Sequence, residues 1–347
     1  MLNQSGNKLK LRPELHDRLR RPLKDLRLSV IDRCNFRCSY CMPASSLSGE
    51  SPFLPRTRLL TVNELSRLVS AFTKLGVSKV RLTGGEPLVR PDFIDIVAAL
   101  GEVSGVEDLS MTSNGVLLPK LAPALKNAGL TRITVSLDSL DPAVFARMSG
   151  GRGDPLRVLD GISAATAAGF TQLKINCVVQ KGVNDHTVMD LLEYFRGSGH
   201  IVRLIEFLDV GNSNQWQRDR VVPGAEWRQR IHSRWPLKPL LKTQQGETAE
   251  RYAYLDGLGE IGLINSITQP FCGSCRRVRV TADGSLYGCL FSVTGASLLP
   301  LLRGNCDETA LSGFIRNFWL QRTDRYSENR HLLPQNGGGK EMYQMGG

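Results

Sequence analysis

The sequence predicts an α/β fold, an open partial (β/α)6 barrel with a C-terminal extension, from three observations. From residue 25 to about 209, short β-branched runs alternate with helical patterns six times, which indicates a parallel sheet. A closed eight-fold barrel usually needs about 250 residues, more than this stretch contains. After Val210 the alternation ends. We therefore expect an N-terminal arm (1–24), the partial barrel (25–210), a C-terminal region (211–333) and a flexible tail (334–347) ending in Gly-Gly.

Each element of the barrel follows from its own local pattern. The predicted strands are 26–31, 79–83, 108–113, 132–137, 172–179 and 202–208, with helical patterns at 61–75, 92–103, 117–128, 155–168 and 187–198. Thr61 precedes the first helix, and Glu64 three residues later completes a capping-box pattern. Beyond residue 210 we predict helices near 224–234, 294–302 and 307–320, and strands near 261–265, 276–281 and 285–288. The sequence does not reveal how residues 211–260 fold.

Alternate residues of the predicted strands form an apolar face and a polar face, because side chains alternate sides along a strand. The apolar face is suited to packing under helices. The polar face includes five cations, Arg27, Lys79, Arg81, Lys174 and Arg203. If this face lines the barrel, burying these charges without an anion is prohibitively costly. We therefore expect a lumen that is wet or holds an anion; the alternative, with the two faces inverted, stays open.

Composition and charge narrow the classes of function. The formal net charge is +11, and the residues before the first cysteine hold nine basic and four acidic side chains. This excess suits an anionic partner, namely nucleic acid, a membrane surface or a phosphorylated small molecule, or else forms a solvated basic face. No apolar run reaches the roughly 18 residues of a membrane span, and the N-terminus lacks the apolar core of a secretion signal. We expect a cytoplasmic protein without membrane association.

Six of the eight cysteines form two groups of three, which in a cytosolic chain indicates metal rather than disulfides. The first group, Cys34-x3-Cys38-x2-Cys41, follows the first strand, where the functional loops of a barrel emerge. Structural zinc takes four ligands, and no histidine lies beside this loop. Three thiolates on a four-iron cluster leave one iron open for another ligand. A zinc loop with a distant fourth ligand is the alternative.

This cysteine spacing, with Tyr40 before the third cysteine, resembles the radical S-adenosylmethionine (SAM) superfamily. The run Thr83-Gly84-Gly85-Glu86-Pro87 after the second strand resembles the superfamily's site for the amino group of SAM. Its glycines allow a ligand to approach the backbone closely, and Glu86 can pair with an ammonium group. The resemblance implies a 4Fe–4S cluster that cleaves SAM reductively. It also implies SAM contacts from Tyr40, Gly84, Gly85, Glu86, Ser136 and Leu208, the last at a position where methionine is common.

The second group is Cys272-x2-Cys275-x13-Cys289. Arginines at 276, 277 and 279 interleave with it, and guanidinium groups suit phosphate capture. A zinc ribbon would place a fourth cysteine two residues from Cys289, and none is there. Cys306 could complete a four-ligand structural metal site, and that alternative stays open. Cys177 lies on the apolar strand face, where we expect it in the core.

Three segments together resemble the GTP 3′,8-cyclase family, which opens molybdenum-cofactor biosynthesis. They are 25–38 with Asp32-Arg33-Cys34, Phe271-Cys272-x2-Cys275 and the terminal Gly346-Gly347, and the likeness runs from about residue 21 to the end. The resemblance implies a second 4Fe–4S cluster on Cys272, Cys275 and Cys289, whose open iron meets guanine. It implies that a 5′-deoxyadenosyl radical removes the C3′ hydrogen of GTP and that the C3′ radical then attacks C8. Reduction and protonation of the resulting aminyl radical give 3′,8-cyclo-7,8-dihydro-GTP.

Carried over by position, the resemblance implies substrate contacts that include the five inward cations. The GTP-contacting positions are Arg27, Lys79, Arg81, Thr112, Lys174, Arg203, Arg277 and Arg279. Catalytic roles fall to Arg27, Arg277, Arg279, Gly346 and Gly347, and we expect the Gly-Gly pair to enter the lumen. The implied partners are GTP, a low-potential electron donor and the next enzyme of the molybdopterin pathway; a homodimer is also considered.

Two other functions stay open at the level of sequence. One is a different radical SAM enzyme with an auxiliary cluster that acts on a peptide or an RNA base. Peptide-modifying enzymes of this kind commonly carry more C-terminal cysteines than the four found after residue 200. The other is a zinc-stapled nucleic-acid-binding protein, which would account for a pI of 9.4. Aromatic content of 7% and the lack of a recognisable binding module argue against it.

Overall fold

A computed structural model describes residues 14–43, 53–211, 213–304, 306–332 and 339–346. The six predicted strand–helix repeats are present, with boundaries within a few residues of those predicted. The strands are β1 (Asp25–Ser29), β2 (Lys79–Thr83), β3 (Asp108–Ser113), β4 (Arg132–Ser136), β5 (Lys174–Val179) and β6 (Ile201–Glu206). The helices are α1 (Val62–Lys74), α2 (Phe93–Gly101), α3 (Leu118–Asn127), α4 (Pro142–Met148), α5 (Pro155–Ala167) and α6 (Val188–Phe195). The sequence analysis missed the short α4.

The capping box at the start of α1 is confirmed. The Thr61 hydroxyl accepts a hydrogen bond from the Glu64 amide at 3.3 Å, and the Glu64 carboxylate accepts one from the Thr61 amide at 2.7 Å. This reciprocal pair satisfies donors that a helix N-terminus otherwise leaves without partners.

The C-terminal region adds strands to both edges of the predicted sheet. Its elements are α7 (Gly224–Arg234), β7 (Leu237–Leu240), β8 (Glu250–Tyr254), β9 (Glu260–Ile264), β10 (Arg277–Val280), β11 (Ser285–Tyr287), β12 (Ala296–Ser297), α8 (Leu299–Arg303), α9 (Glu308–Leu320), α10 (Tyr326–Asn329) and α11 (Met342–Met345). The order across the sheet is β12-β11-β10-β1-β2-β3-β4-β5-β6-β9-β8-β7. In this order, every pair of neighbouring strands from β10 through β9 is parallel. The helix predicted at 294–302 begins only at Leu299, because Ala296 and Ser297 instead pair with β11.

The sheet curls around a lumen and remains open. Arg277 of β10 and Gly262 of β9 line the same cavity although six strands separate their own strands in the sheet. The edge strands β12 and β7 do not pair with each other among the described residues. The open partial barrel is therefore confirmed, with β9 and β10 extending its parallel part. No described helix has the length and apolarity needed to cross a membrane.

The predicted assignment of the strand faces is confirmed. Leu26, Leu28, Val80 and Leu82 are fully buried in the core beneath the helices. The alternate positions line the lumen, and neighbouring strands set Arg27 level with both Arg81 and Arg279. Cys177 is buried in the apolar core, as expected.

The prediction of a flexible tail needs correction at its end. Residues 333–338 and Gly347 lie outside the described part of the chain, but Met342–Met345 form a helical turn. Tyr343 and Met345 are buried, and Glu341 with Gln344 forms a capping box. Burial of two large side chains gives this short segment the stabilisation that its composition alone did not indicate.

Candidate functional site

The first cysteine group lines a cavity of about 190 Å3. We call this cavity the first cysteine chamber. Its wall contains the three cysteines and all of the residues predicted to contact SAM, from the end of β4 and the loops that follow β1, β2 and β6. The cysteines are Cys34, Cys38 and Cys41, and the predicted SAM contacts are Tyr40, Gly84, Gly85, Glu86, Ser136 and Leu208.

Two glycines are required because the loop after β2 packs directly on the cysteine loop. A Cβ on Gly84 would lie 2.1 Å from the Ile31 carbonyl oxygen, and a Cβ on Gly85 would lie 2.2 Å from that of Arg33. The Gly85 and Glu86 amides donate to those same two carbonyls at 2.8 Å. The sequence analysis assigned the glycines to ligand approach alone, and it missed this backbone contact.

Glu86 is buried at the base of the first cysteine chamber and joins two loops. Its carboxylate accepts hydrogen bonds from the Ser113 hydroxyl at 2.9 Å and from the Asn114 and Leu88 amides at 2.7 and 3.0 Å. Burial raises the pKa of Glu86 to about 7, against the effect of these bonds. The carboxylate can accept further hydrogen bonds, so an ammonium contact is compatible with its structural role.

Tyr40 is held across the first cysteine chamber by Asp138. The Tyr40 hydroxyl donates to the Asp138 carboxylate at 2.8 Å, and the other Asp138 oxygen accepts from the Val178 amide at 2.9 Å. Burial raises the pKa of Asp138 to about 6. The cysteine loop is thereby tied to the ends of β4 and β5.

The second cysteine group lines a cavity of about 150 Å3, the second cysteine chamber. Cys272 and Cys275 lie on the turn before β10, and Cys289 follows β11. Burial raises the pKa of the Cys275 thiol, but the Arg277 and Arg322 guanidinium groups outweigh burial and lower it to about 6. Their Nη2 atoms lie 3.5 and 3.4 Å from the Cys275 sulfur. The same wall holds Arg27, Arg81, Thr112, Arg203 and Arg279.

A third cavity of about 310 Å3, the basic chamber, lies below the second cysteine chamber. Its cations are Arg27, Lys79, Arg81, Arg132, Lys174, Arg203, Arg251, Arg276 and Arg277. Burial and the neighbouring Arg132 lower the pKa of Arg81 to about 10, and burial with Arg81 lowers that of Arg203 to about 9. Burial and Arg203 lower the pKa of Lys174 to about 8. A polyanion would relieve this repulsion.

The three chambers adjoin one another. Thr112, Asn176, Ile205, Leu208 and Leu290 line both cysteine chambers. Four arginines line both the second cysteine chamber and the basic chamber: Arg27, Arg81, Arg203 and Arg277. The second cysteine chamber therefore lies next to both the cations and the first cysteine chamber.

The C-terminal segment reaches into the wall of this lumen. Arg279 donates from Nη1 to the carbonyl oxygens of Gly346 and Met345 at 2.6 and 3.0 Å, and the Ser29 hydroxyl donates to the Gln344 carbonyl at 2.9 Å. Gly346 has φ of +68°, and a Cβ there would lie 1.9 Å from the Thr83 hydroxyl oxygen. Both features demand glycine at this position.

Both cysteine groups fit iron–sulfur clusters better than single metal ions. Burial raises the pKa of Cys34 to about 11 and that of Cys38 and Cys41 further, so three thiolates need a multivalent cation. Within the described residues, no three His, Cys, Asp or Glu side chains converge as ligands of one ion. A four-iron cluster binds each thiolate at a different iron. Cys306 lies beside α1, where its carbonyl accepts from Arg67, away from the second group.

Sequence reasoning missed several residues of the site. Asn176 lines both cysteine chambers and accepts from Arg203 Nε at 3.0 Å; its signal was its place on the inward strand face. Gln244 accepts hydrogen bonds from both Lys79 and Arg276, in a connection whose fold the sequence did not reveal. Arg322 contacts Cys275 from a distant helix end, and no local pattern indicates it.

Comparison with known proteins agrees with this geometry. Residues 28–195 match the Radical SAM superfamily, and residues 200–328 match the family described as Molybdenum Cofactor Synthesis C. The fold resembles SuiB of Streptococcus suis bound to S-adenosylmethionine (TM-score 0.58, 16% identity, 86% of this chain and 68% of that chain). It also resembles anSMEcpe with bound AdoMet (TM-score 0.54, 17% identity, 78% and 75% of the two chains). These identities show a shared fold.

Curated relatives give the family. A protein of Xanthomonas axonopodis pv. citri named GTP 3′,8-cyclase is 53% identical over 96% of this chain and 99% of its own length. Proteins of the same name from Acidothermus cellulolyticus and Staphylococcus saprophyticus are 49% and 43% identical, over 92% and 91% of this chain and 89% and 93% of their own. Identity of this extent, together with two cysteine chambers joined in one lumen, makes the chain a member of the GTP 3′,8-cyclase family of radical SAM enzymes.

Proposed function

We propose that this chain converts GTP to 3′,8-cyclo-7,8-dihydro-GTP, the first step of molybdenum-cofactor biosynthesis. The observation that supports it most is that the three chambers share wall residues, with Thr112 and Leu208 among those common to both cysteine chambers. A nucleoside triphosphate has a base, a ribose and a polyanion in a line. In this proposal the base binds in the second cysteine chamber and the triphosphate binds in the basic chamber. The ribose then lies between them, on the side of the first cysteine chamber.

In this proposal the first cysteine chamber holds SAM. Cys34, Cys38 and Cys41 bind a 4Fe–4S cluster, with the cofactor contacts at Tyr40, Gly84, Gly85, Glu86, Ser136 and Leu208. When bound, cluster and SAM together supply the one-electron chemistry that generates a carbon radical able to remove the C3′ hydrogen of GTP. The chain's own part is to hold the ribose toward that chamber, since correct orientation removes much of the barrier.

The basic chamber is proposed to bind the triphosphate. Lys79 and Arg81 reach it from β2, Lys174 from β5 and Arg203 from β6, all on the inward face of the sheet. Guanidinium groups bind phosphate oxygens with two parallel hydrogen bonds, which gives orientation as well as affinity. Anion binding also restores the depressed pKa values of Arg81, Lys174 and Arg203, so it removes an electrostatic cost of the fold.

The second cysteine chamber is proposed to bind the guanine. Cys272, Cys275 and Cys289 would hold a second 4Fe–4S cluster, whose iron without a cysteine ligand would be available to the base. Thr112, Arg277 and Arg279 complete the contacts, while Arg27 lies between base and triphosphate. The Arg279 contact with Gly346 supports a catalytic role for these two residues, and the family resemblance extends that role to Arg27, Arg277 and the other glycine of the C-terminal Gly-Gly. Gly347 belongs to this proposal, although it lies outside the described residues.

The proposed partners follow from what the reaction consumes and produces. One-electron cleavage requires a low-potential electron donor, and the product must pass to the next enzyme of the molybdopterin pathway. We propose a cytoplasmic location and consider a homodimer.

Anaerobic incubation of the reconstituted protein with SAM, dithionite and each nucleoside triphosphate in turn tests the proposal. GTP should yield 5′-deoxyadenosine and a cyclised nucleotide, whereas ATP, CTP and UTP should yield little of either. Cleavage of SAM that responds to a peptide or an RNA and not to GTP would instead favour the other radical SAM function. Zinc without iron in the purified protein would favour the nucleic-acid-binding alternative.

A further inference from the structure

Three buried charged side chains lie behind the second cysteine group. They are Asp17 and Arg21 of the N-terminal arm and Arg322 after α9, which are only 6%, 1% and 5% exposed. We call them the arginine–aspartate triad. Charged side chains are almost never buried to this degree unless they are paired.

Asp17 holds the two arginines together. Its Oδ2 accepts from Arg21 Nε at 2.7 Å and from Arg322 Nη1 at 3.1 Å. Its Oδ1 accepts from the Leu19 and Arg21 amides at 2.9 Å each, which closes the turn of the arm. Trp319 covers the pair, with the Arg322 guanidinium 4.6 Å from its ring centroid. The geometry of both guanidinium groups is therefore tightly constrained.

Several of the remaining donors of the triad reach the backbone at Cys272, at Cys275 and just before Cys289. Arg322 donates from Nη1 to the Cys275 carbonyl at 3.0 Å and from Nε to the carbonyl of Gly288, just before Cys289, at 2.9 Å. Its Nη2 lies 3.4 Å from the Cys275 sulfur. Arg21 donates from Nη1 to the Cys272 carbonyl at 2.9 Å.

The charge of the triad matches what the cysteines would bind. Two guanidinium groups and the buried Asp17 carboxylate carry a net charge of +1, and the partly exposed Asp324, 3.4 Å from Arg322 Nε, offsets part of it. An oxidised four-iron core with charge 2+ and three thiolates carries −1, so the remaining positive charge favours the cluster. One-electron reduction makes the cluster more negative. A cationic N–H donor on a ligand sulfur stabilises that reduced state and so raises the reduction potential.

We propose that Arg322, held by Asp17 and Arg21, is a positioning residue of the second cluster and raises the reduction potential of that cluster. The inference rests on the proposed function to the extent that Cys272, Cys275 and Cys289 must be cluster ligands. It goes further, because it makes the N-terminal arm a support of that cluster and gives Arg322 a measurable electronic effect.

The test uses full-length protein in which Cys34, Cys38 and Cys41 are Ala, so that the second cluster alone gives a signal. Its potential is measured by anaerobic dithionite titration followed by electron paramagnetic resonance, in the parent and with Arg322→Gln or Arg322→Lys added. Arg322→Gln should lower the reduction potential of the second cluster. Arg322→Lys keeps the positive charge but lacks the planar guanidinium group, so its potential should lie between those of the parent and Arg322→Gln. If Arg322→Gln does not load iron, the Lys variant still reports the shift.

Arg90→Gln is the matched control, because Arg90 is also 5% exposed and bound to a carboxylate and two backbone carbonyls, but away from the second group. It should lower stability and leave the potential unchanged. If both Arg322 variants keep the reduction potential of the parent, the proposed role of Arg322 is overturned and the cluster assignment is not affected. A parent that binds no iron would overturn the cluster assignment itself, and with it the proposed function.

Discussion

Lys174 is a cation of the basic chamber whose protonation changes close to neutral pH. Burial and then Arg203 lower its pKa to about 8. Lys174 attracts phosphate only when protonated, so GTP affinity should fall as pH rises through 8. Bound triphosphate raises the pKa again, so binding near pH 8 should take up a proton. Calorimetric titration of GTP in two buffers with different ionisation enthalpies measures that uptake.

Lys174→Arg provides the control for this pH dependence. Arginine keeps its charge throughout this range, so the variant should bind GTP with less dependence on pH and with less proton uptake near pH 8. Equal proton uptake by the parent and by this variant would show that another group titrates.

Arg203 tests whether the chamber binds phosphate rather than the nucleoside. It is a half-buried residue whose Nε donates to Asn176 at 3.0 Å. A charge-assisted contact contributes roughly 1.5–3 kcal/mol, so Arg203→Gln should weaken GTP binding by about 10- to 100-fold. Guanosine affinity should change little. Equal affinity of the parent for guanosine and GTP would contradict an anion-binding chamber.

At the scale of elements, the loop after β2 supports the first cysteine group. In Gly85→Ala the new Cβ would lie 2.2 Å from the Arg33 carbonyl oxygen, and neither backbone can move without displacing Cys34. We expect this variant to lose about four irons per chain and keep the second cluster. Gly313→Ala in α9, where a Cβ meets no atom within 4 Å, is the control and should load normally. Full iron content in Gly85→Ala would contradict the packing argument.

The C-terminal turn offers a second test at this scale. Gly346→Ala adds a Cβ 1.9 Å from the Thr83 hydroxyl oxygen and a left-handed backbone cost of roughly 1–2 kcal/mol. The strain is released when the tail leaves its site, so we expect this variant, and deletion of residues 346–347, to keep both clusters and to melt slightly below the parent while product formation collapses. If the truncated protein cyclises GTP at the wild-type rate, the C-terminal Gly-Gly has no role in the reaction.

The sequence predicted the elements with strong local patterns and missed those set by distant partners. β2 and β3 were predicted to the residue, because alternation of apolar and polar residues marks them. β7 was not predicted, because Pro239 argues against a strand. In the structure β7 is an edge strand, where proline is tolerated. The pairing of β10 with β1 brings Asp25 beside Arg277, a contact that no local pattern encodes.

For the site, too, local patterns predicted some residues, and contacts between distant parts of the chain determine the others. Strand alternation alone assigned Arg27, Arg81 and Arg203 to one lumen, and family resemblance supplied the cysteines and glycines. The arginine–aspartate triad could not be predicted, because Asp17 and Arg322 meet only when α9 packs across the N-terminal arm.

For the whole molecule, the two cysteine groups should act as separable units within one lumen. Replacing Cys34, Cys38 and Cys41 by Ala should abolish 5′-deoxyadenosine formation and leave about four irons per chain. Replacing Cys272, Cys275 and Cys289 should retain uncoupled SAM cleavage and end cyclisation. Iron analysis and chromatography of the nucleosides check both. SAM cleavage by the first triple variant would show that the two groups have been assigned the wrong way round.

The central claim is that one lumen holds the ribose of GTP at the first cysteine chamber. The most direct measurement uses GTP deuterated at C3′, incubated anaerobically with the reconstituted enzyme, SAM and dithionite. Mass spectrometry of the 5′-deoxyadenosine should then show one deuterium per molecule, with a matching loss from the cyclised nucleotide. Unlabelled 5′-deoxyadenosine beside fully deuterated nucleotide would contradict the account.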